Sequence, residues 1–253
     1  MGKVIAIANQ KGGVGKSTTA INLSACLAEK GKHILVIDID PQGNTTSGLG
    51  VEKAELDNSL YELIIGEAEP EDVIIKNTVE NLDVIPSNVN LSGAEIEIFE
   101  LEEKEFIIKK IVEKVRRRYD YVIMDCPPSL SMLTINALTA ANSVIVPIQC
   151  EYYALEGLSQ LIYTIDLVKE RLNSKLKIEG ILFTMFDTRN NLSSQVVDNV
   201  RNNLDQKIYN TVIPRNVRLA EAPSYGMPIN LYDSRSSGAE SYRKLAEEII
   251  GEG

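Results

Sequence analysis

Residues 11–18 read Lys-Gly-Gly-Val-Gly-Lys-Ser-Thr, directly after the apolar run ending at Ala8 and before the helix-like stretch opening near Ser17. Gly12, Gly13 and Gly15 leave the backbone free to turn its N–H groups inward, a crowded arrangement suited to phosphate oxygens. The helix that follows would present its unpaired N–H groups and positive dipole end to the same anion. Lys16 would then meet the terminal phosphates, and the Ser17 hydroxyl would help hold a magnesium ion bridging them. An ordinary glycine-rich turn between a strand and a helix is the plainer alternative, but it requires neither the lysine nor the hydroxyl. Two further acidic sites follow apolar runs: Val-Ile-Asp-Ile-Asp-Pro-Gln-Gly-Asn at 36–44 and Val-Ile-Met-Asp-Cys-Pro-Pro-Ser at 122–129. A short carboxylate at a strand end can be aimed at magnesium-bound water with little entropic loss, which selects Asp125. Asp38 and Asp40 admit two roles, as site carboxylates or as loop caps.

These residues need a scaffold that brings strand ends together. Apolar, β-branched runs fall at 3–8, 33–38, 82–86, 120–125, 143–148, 178–184 and 211–213, and amphipathic stretches at 17–30, 103–118, 131–141, 155–172, 192–204 and 236–250. The alternation predicts an α/β fold with a doubly wound, mainly parallel sheet flanked by helices, and a ligand at the carboxyl ends of the strands. The 253 residues, 44% of them hydrophobic, suffice for one large core, and no linker or repeat divides residues 1–253. Cys26, Cys126 and Cys150 lack metal or redox spacing, which favours a reduced, intracellular protein. No apolar run is long enough to suggest a membrane span.

The loop departs from the plain phosphate-loop pattern, which asks for Gly at position 10; here Gln10 is followed by the extra Lys11. The Lys-Gly-Gly-x-Gly-Lys-Ser/Thr form resembles the deviant Walker A loop of the ParA/MinD/nitrogenase iron protein superfamily. Asn9–Thr18, Asp38–Gly50, Asp125–Ser129, Gln149–Ser159 and Val212–Ser224 together resemble the chromosomal ParA (Soj-type) branch across the whole chain. The resemblance implies a single P-loop ATPase domain using ATP and Mg²⁺. It assigns catalytic roles to Lys11, Lys16 and Asp40, with Asp40 placing the attacking water and Lys11 reaching the partner subunit's nucleotide. Nucleotide contacts fall to Lys11, Gly12, Gly13, Val14, Gly15, Lys16, Ser17 and Thr18, with Pro214 and Asn216 bordering the adenine. Ser17 and Asp125 support magnesium.

The same resemblance implies an ATP-dependent homodimer on non-specific double-stranded DNA, contacted through Arg189 and Arg218. It further implies a ParB-type (Spo0J-like) partner, action on the replication initiator DnaA, and a cytoplasmic, nucleoid-associated location. The chain carries −10 overall, yet residues 167–218 hold 9 basic against 5 acidic side chains, while residues 1–126 hold 14 against 22. A phosphate-binding surface is therefore sought in the C-terminal half. A MinD-like membrane cycler would need a basic amphipathic end, whereas this chain closes on Arg-Lys-Leu-Ala-Glu-Glu-Ile-Ile-Gly-Glu-Gly. An iron–sulfur carrier would need paired cysteine ligands. An ATP-binding scaffold acting on a protein client would keep the same loop without turnover. The acidic run Glu95–Glu105 reads as a solvated helix face or a docking surface for a basic peptide, His33 as a surface or packing residue, and Tyr152 and Tyr153 as packing or base-stacking aromatics.

Overall fold

The apolar run of the first strand has water on neither side, and its alternation sends Val4 and Ala6 into one core and Ile5 and Ile7 into another. The computed structural model describes residues 2–151 and 154–251, so Tyr152 and Tyr153 lie outside the described residues. In chain order the elements begin β1 (Lys3–Ile7), α1 (Lys16–Glu29), β2 (Ile34–Asp38), α2 (Asn44–Gly48), α3 (Leu60–Ile65) and α4 (Pro70–Val73). They continue β3 (Ile75–Val79), β4 (Leu82–Ile85), α5 (Leu91–Glu97), α6 (Ile107–Val115), β5 (Tyr121–Asp125), α7 (Met132–Ala140) and β6 (Ser143–Gln149). The last are α8 (Ala154–Arg171), β7 (Lys177–Thr184), α9 (Asn191–Asn203), α10 (Val217–Glu221), α11 (Ile229–Tyr232) and α12 (Ser237–Gly251).

Seven strands form one sheet in the order β3-β4-β2-β5-β1-β6-β7, parallel except for the β3–β4 pair. Helices cover both faces: α3, α5–α7, α8 and α9 contribute to one core, and α1 with α10–α12 to the other. The expected doubly wound sheet is thus the observed one. Buried polar bonds fasten the second layer, with Thr19 Oγ1 3.1 Å from Tyr242 Oη and the Ile229 N–H donating to Asn22 Oδ1 at 2.6 Å.

Two strand expectations and several helix expectations differ from the structure. Residues 211–213 follow β7 but form no regular strand. The Ile213 N–H donates to Phe183 O at 2.8 Å, while the Asn210 and Thr211 N–H groups turn instead to the Glu248 carboxylate at 3.0 and 2.7 Å. Pro214, next in line, has no N–H to extend a ladder. Strand β3 was missed because its sequence, Ile-Lys-Asn-Thr-Val, has no apolar alternation. It is a half-exposed edge strand with a register shift and Asn77 at φ 53°. The helix expected over 103–118 begins regularly only at Ile107, and α2–α5 were too short for periodicity to find.

Strand β7 approaches its neighbours closely at Gly180, where an added Cβ would lie 2.6 Å from the buried Tyr209 ring. A rigid ring cannot yield cheaply. Gly180→Ala is expected to lower stability by ~1–3 kcal/mol, read as a lower urea midpoint at unchanged slope; an unchanged midpoint would show that the ring relocates freely.

Candidate functional site

The loop after β1 is held at both ends. Asn9 is buried; its Nδ2 donates to Pro147 O at 2.8 Å, and its Oδ1 accepts the Lys11 N–H at 2.9 Å. Farther along, Thr184 Oγ1 at the end of β7 donates to Val14 O at 2.8 Å, so Val14 turns its side chain into the protein. Gly13 and Gly15 adopt φ of 71° and 87°, a conformation that disfavours any side chain. Gly12 differs: a Cβ there would clear Pro128 at 3.9 Å, so the demand for glycine at this position would come from a closely approaching ligand. Gly15 caps α1 without a side-chain bond, and the first turn holds no acid, leaving its N–H groups for an anion.

These groups line a cleft of about 590 Å³ whose loop wall is Gly12, Gly13, Gly15, Lys16, Ser17 and Thr18, with Asp40 and Pro128 also lining it. A smaller lobe of about 200 Å³ shares Gly15 and Thr18 and is lined by Pro214, Asn216 and Tyr242. Asn216 is also structural: its Oδ1 caps α10 by accepting the Arg218 N–H at 2.8 Å. A larger groove of about 690 Å³, between Leu49–Leu56, β3 and Met227–Leu231, holds no comparable phosphate-binding loop. Lys11 does not line its own cleft. Its Nζ donates to Glu151 Oε2 at 3.0 Å on the exposed rim.

Three carboxylates and two threonines lie at the strand ends nearby, and of these Asp40 lines the cleft. Asp38 and Asp125 are paired in register at the ends of β2 and β5, and neither is exposed. Asp38 Oδ2 accepts the Thr46 N–H at 2.8 Å and its hydroxyl at 2.7 Å; Asp38 Oδ1 accepts the Asp40 N–H at 3.2 Å. The Thr45 hydroxyl donates to Asp125 Oδ2 at 2.7 Å. Asp40 Oδ1 accepts the Gln42 N–H at 2.9 Å, while its main-chain oxygen accepts from Ser87 Oγ at 2.7 Å. Asp38 and Asp40 each cap local backbone, and Asp40 also lines the cleft. Ser87, Thr45 and Thr46 escaped sequence reasoning because hydroxyl residues are too common to signal a site alone.

Burial raises both inner carboxyls. Asp38 is pushed up to about 8 by desolvation and then by the charge of Asp125; Asp125 is pushed up to about 6 by desolvation, opposed by the Ser17 and Thr45 hydroxyls and Lys16. Lys16 is buried and its Nζ donates to Lys11 O at 3.1 Å; desolvation lowers its pKa against the pull of Asp125, Cys126 and Asp40. Asp125 Oδ1 is buried without a hydrogen-bond partner, so the Ser17 hydroxyl beside it favours its charge without completing a bond. An orphaned carboxylate oxygen and a hydroxyl are hard donors that fit magnesium. Among the described residues no group of three His, Cys, Asp or Glu side chains is placed to hold a metal ion by itself. When bound, magnesium would supply charge neutralisation for the phosphates, held from the protein side by Ser17 and Asp125. The chain's own part would be to cradle phosphates on the loop N–H groups and to set Lys16 against their charge, with Asp40 on the cleft wall.

The expected DNA contacts lie apart from this cleft. Arg189 is 85% exposed at its side chain and forks onto Asp187, with Nε and Nη2 at 3.0 and 2.8 Å. That pairing holds the Asp187 carboxyl down at about 2. Arg218 pairs with Glu221 at 2.8 Å and Asp233 at 3.6 Å. His33 is exposed, and the three cysteines are buried and free.

Removing the buried cation should damage turnover more than folding: Lys16→Ala is expected to lower kcat/KM for ATP by ~10²–10³, checked by phosphate release. Without nucleotide, Asp38 binds a proton more readily folded than unfolded. Its contribution to stability is therefore complete below the unfolded carboxylate pKa and is lost as pH rises towards about 8. The melting temperature of the wild type should fall relative to Asp38→Asn between about pH 5 and pH 8; parallel curves would contradict the assignment.

A protein-family model described as an AAA domain matches residues 2–178. Sporulation initiation inhibitor protein Soj of Bacillus subtilis is 58% identical over 253 residues, with 100% of each chain covered. Chromosome partitioning protein ParA of Caulobacter vibrioides is 50% identical over 250 residues, covering 98% of this chain and 94% of that protein. Among solved structures, cobyrinic acid a,c-diamide synthase from Mycobacterium smegmatis, with a bound ATP analog and magnesium, superposes with a TM-score of 0.88 at 36% identity, covering 99% of this chain and 95% of that one. With its deviant loop, its strand-end carboxylates and these full-length likenesses, the chain belongs to the ParA/Soj branch of the ParA/MinD superfamily and is an ATPase that uses ATP and Mg²⁺.

Proposed function

We propose that this ATPase partitions DNA, chromosomal or plasmid, by a nucleotide-timed cycle. ATP joins two subunits across their nucleotide clefts, the dimer coats double-stranded DNA without sequence preference, and a ParB-type (Spo0J-like) partner stimulates hydrolysis and release. The observation that carries this reading is the position of Lys11, which stands outside its own cleft on the open rim and pairs, among the described residues, with an exposed glutamate. A lysine so placed is available to a nucleotide in a second subunit. Exposed ion pairs are weak and easily exchanged, so ATP phosphates arriving from a partner can replace Glu151.

Arg189 and Arg218 are assigned to DNA on the same terms, each exchanging a local carboxylate for backbone phosphate. Lys169, Arg171, Lys175, Lys177, Arg201 and Arg215 are exposed and carry no ion pair among the described residues, which supports a cationic surface in this half. Dimerisation would double that surface and so switch DNA affinity without changing any contact residue. A cytoplasmic, nucleoid-associated location and an action on a DnaA-type replication initiator complete the proposal. Among the described residues no helix is long and apolar enough to cross a membrane.

The test is fluorescence anisotropy on random-sequence duplex DNA with ADP or ATP, using Asp40→Ala to preserve ATP. Tight binding is expected with ATP alone, weakened by salt and lost in Arg189→Glu with Arg218→Glu. In the same background Lys11→Ala should remain monomeric with ATP in sedimentation. Binding that ignores nucleotide, or an ATP-bound dimer that leaves DNA free at low salt, would shift the assignment to an ATP-dependent switch on a protein client.

A further inference from the structure

Helix α12 meets the smaller lobe of the cleft, or the segment that forms it, at several points. Its first residue, Ser237, accepts the Asn216 side chain, with Asn216 Nδ2 2.8 Å from Ser237 Oγ. Gly238 lies so close to Leu219 of the lobe that an added Cβ would stand 2.7 Å from Leu219 Cγ. Tyr242 is buried and lines the lobe directly. Near the end of the helix the Glu248 carboxylate takes three donors: the Asn210 N–H at Oε2 (3.0 Å), the Thr211 N–H at Oε1 (2.7 Å) and the Thr211 hydroxyl at Oε1.

We propose that Glu248 is a positioning residue for the nucleotide base, acting through the strap 211–216 that it holds. The inference rests on the assignment of the smaller lobe to the adenine, which Pro214 and Asn216 carry from the family resemblance. Downstream, the strap is fastened to the end of β7 through the main chain. The Ile213 N–H donates to Phe183 O at 2.8 Å, the Phe186 N–H to Ile213 O at 3.1 Å and the Arg215 N–H to Phe186 O at 2.9 Å. Upstream, the Asn210 and Thr211 N–H groups turn to Glu248 instead of to a strand. Two N–H groups on one carboxylate form a charge-assisted fork, stronger than neutral bonds of the same length. Without it the N–H of the buried Thr211 loses its acceptor, and an arriving base must order the strap at the expense of its own affinity.

The same helix is tied separately to the phosphate side. Arg243 forks onto Glu29 at the end of α1, with Nε and Nη2 at 2.7 and 2.9 Å, Lys30 Nζ donates to Glu247 at 2.8 Å, and Tyr242 Oη lies 3.1 Å from Thr19 Oγ1. Helix α1 carries the phosphate loop's free N–H groups at its other end, so α12 sets the spacing between phosphate helix and base strap. Glu248 and Ser237 act on the strap, whereas Arg243 and Glu247 act on α1. The base side can therefore be loosened while the phosphate side stays in place.

The test is displacement of mant-labelled ADP from the full chain by ADP or by pyrophosphate, which has no base, with Mg²⁺ present. It needs neither hydrolysis nor a second subunit, so its outcome is independent of the partition cycle. Glu248→Gln turns one acceptor of the fork into a donor and should weaken ADP about tenfold while leaving pyrophosphate unchanged. Ser237→Ala, at an exposed position that folding tolerates, should shift the same ratio by about threefold. Ala220→Trp, on the wall of the lobe, should weaken ADP by direct obstruction. Equal weakening of ADP and pyrophosphate in Glu248→Gln would show general loosening and overturn the positioning role, as would an unchanged ADP affinity in both α12 variants while Ala220→Trp weakens it. An unchanged ADP affinity in Ala220→Trp would overturn the adenine assignment of the lobe, and the proposal with it.

Discussion

The register that sets Asp38 beside Asp125 on adjacent strands places two carboxylates where water does not reach, and much of the surrounding structure serves to make that tolerable. A buried carboxylate needs hydrogen-bond donors or a cation, and the two here are served differently. Asp38 is surrounded by fixed donors from Thr46 and Asp40, which makes it a brace for the segment after β2. Asp125 has one hydroxyl donor and an unpartnered oxygen, which leaves it capacity for a ligand cation. One strand end thus braces the scaffold, while its neighbour keeps an unpartnered oxygen.

The remaining parts of the site inherit their positions from that pair. Strand β1 runs beside β5, with Ile7 opposite Asp125, so the glycine loop leaves the sheet next to the carboxylates. Parallel strands deliver all these carboxyl ends to one edge, where the free N-terminus of α1 supplies the opposite charge. Asp40 gains its orientation from main-chain bonds to Asp38 and Ser87 together with the Gln42 N–H on its own carboxylate. Such a carboxylate shifts with small movements of that backbone.

Charge is divided over the molecule in the same economical way. The N-terminal half carries the acidic face of α5, and the C-terminal half carries exposed cations, several already tied to carboxylates nearby. Weak surface pairs such as Lys11–Glu151 hold long side chains near useful positions without committing them. Exchange of one anion for another then needs little reorganisation.

The sequence by itself determined the sheet class, six of the seven strands, the phosphate loop and the strand-end acids, because each rests on local rules: apolar periodicity, glycine conformation and residue chemistry. Lys16, Ser17, Asp40 and Asp125 were legible because loop and strand ends carry unusual residue combinations. Tertiary structure alone decided the edge strand β3, the diversion of 210–211 onto Glu248 and the pairing of Lys11 with Glu151. It alone decided that Asp38 braces while Asp125 is left open, and that Ser87 holds Asp40 across 47 positions of chain. These choices depend on which groups distant segments place within hydrogen-bond reach, and on how completely burial removes water, neither of which leaves a periodic mark in the chain.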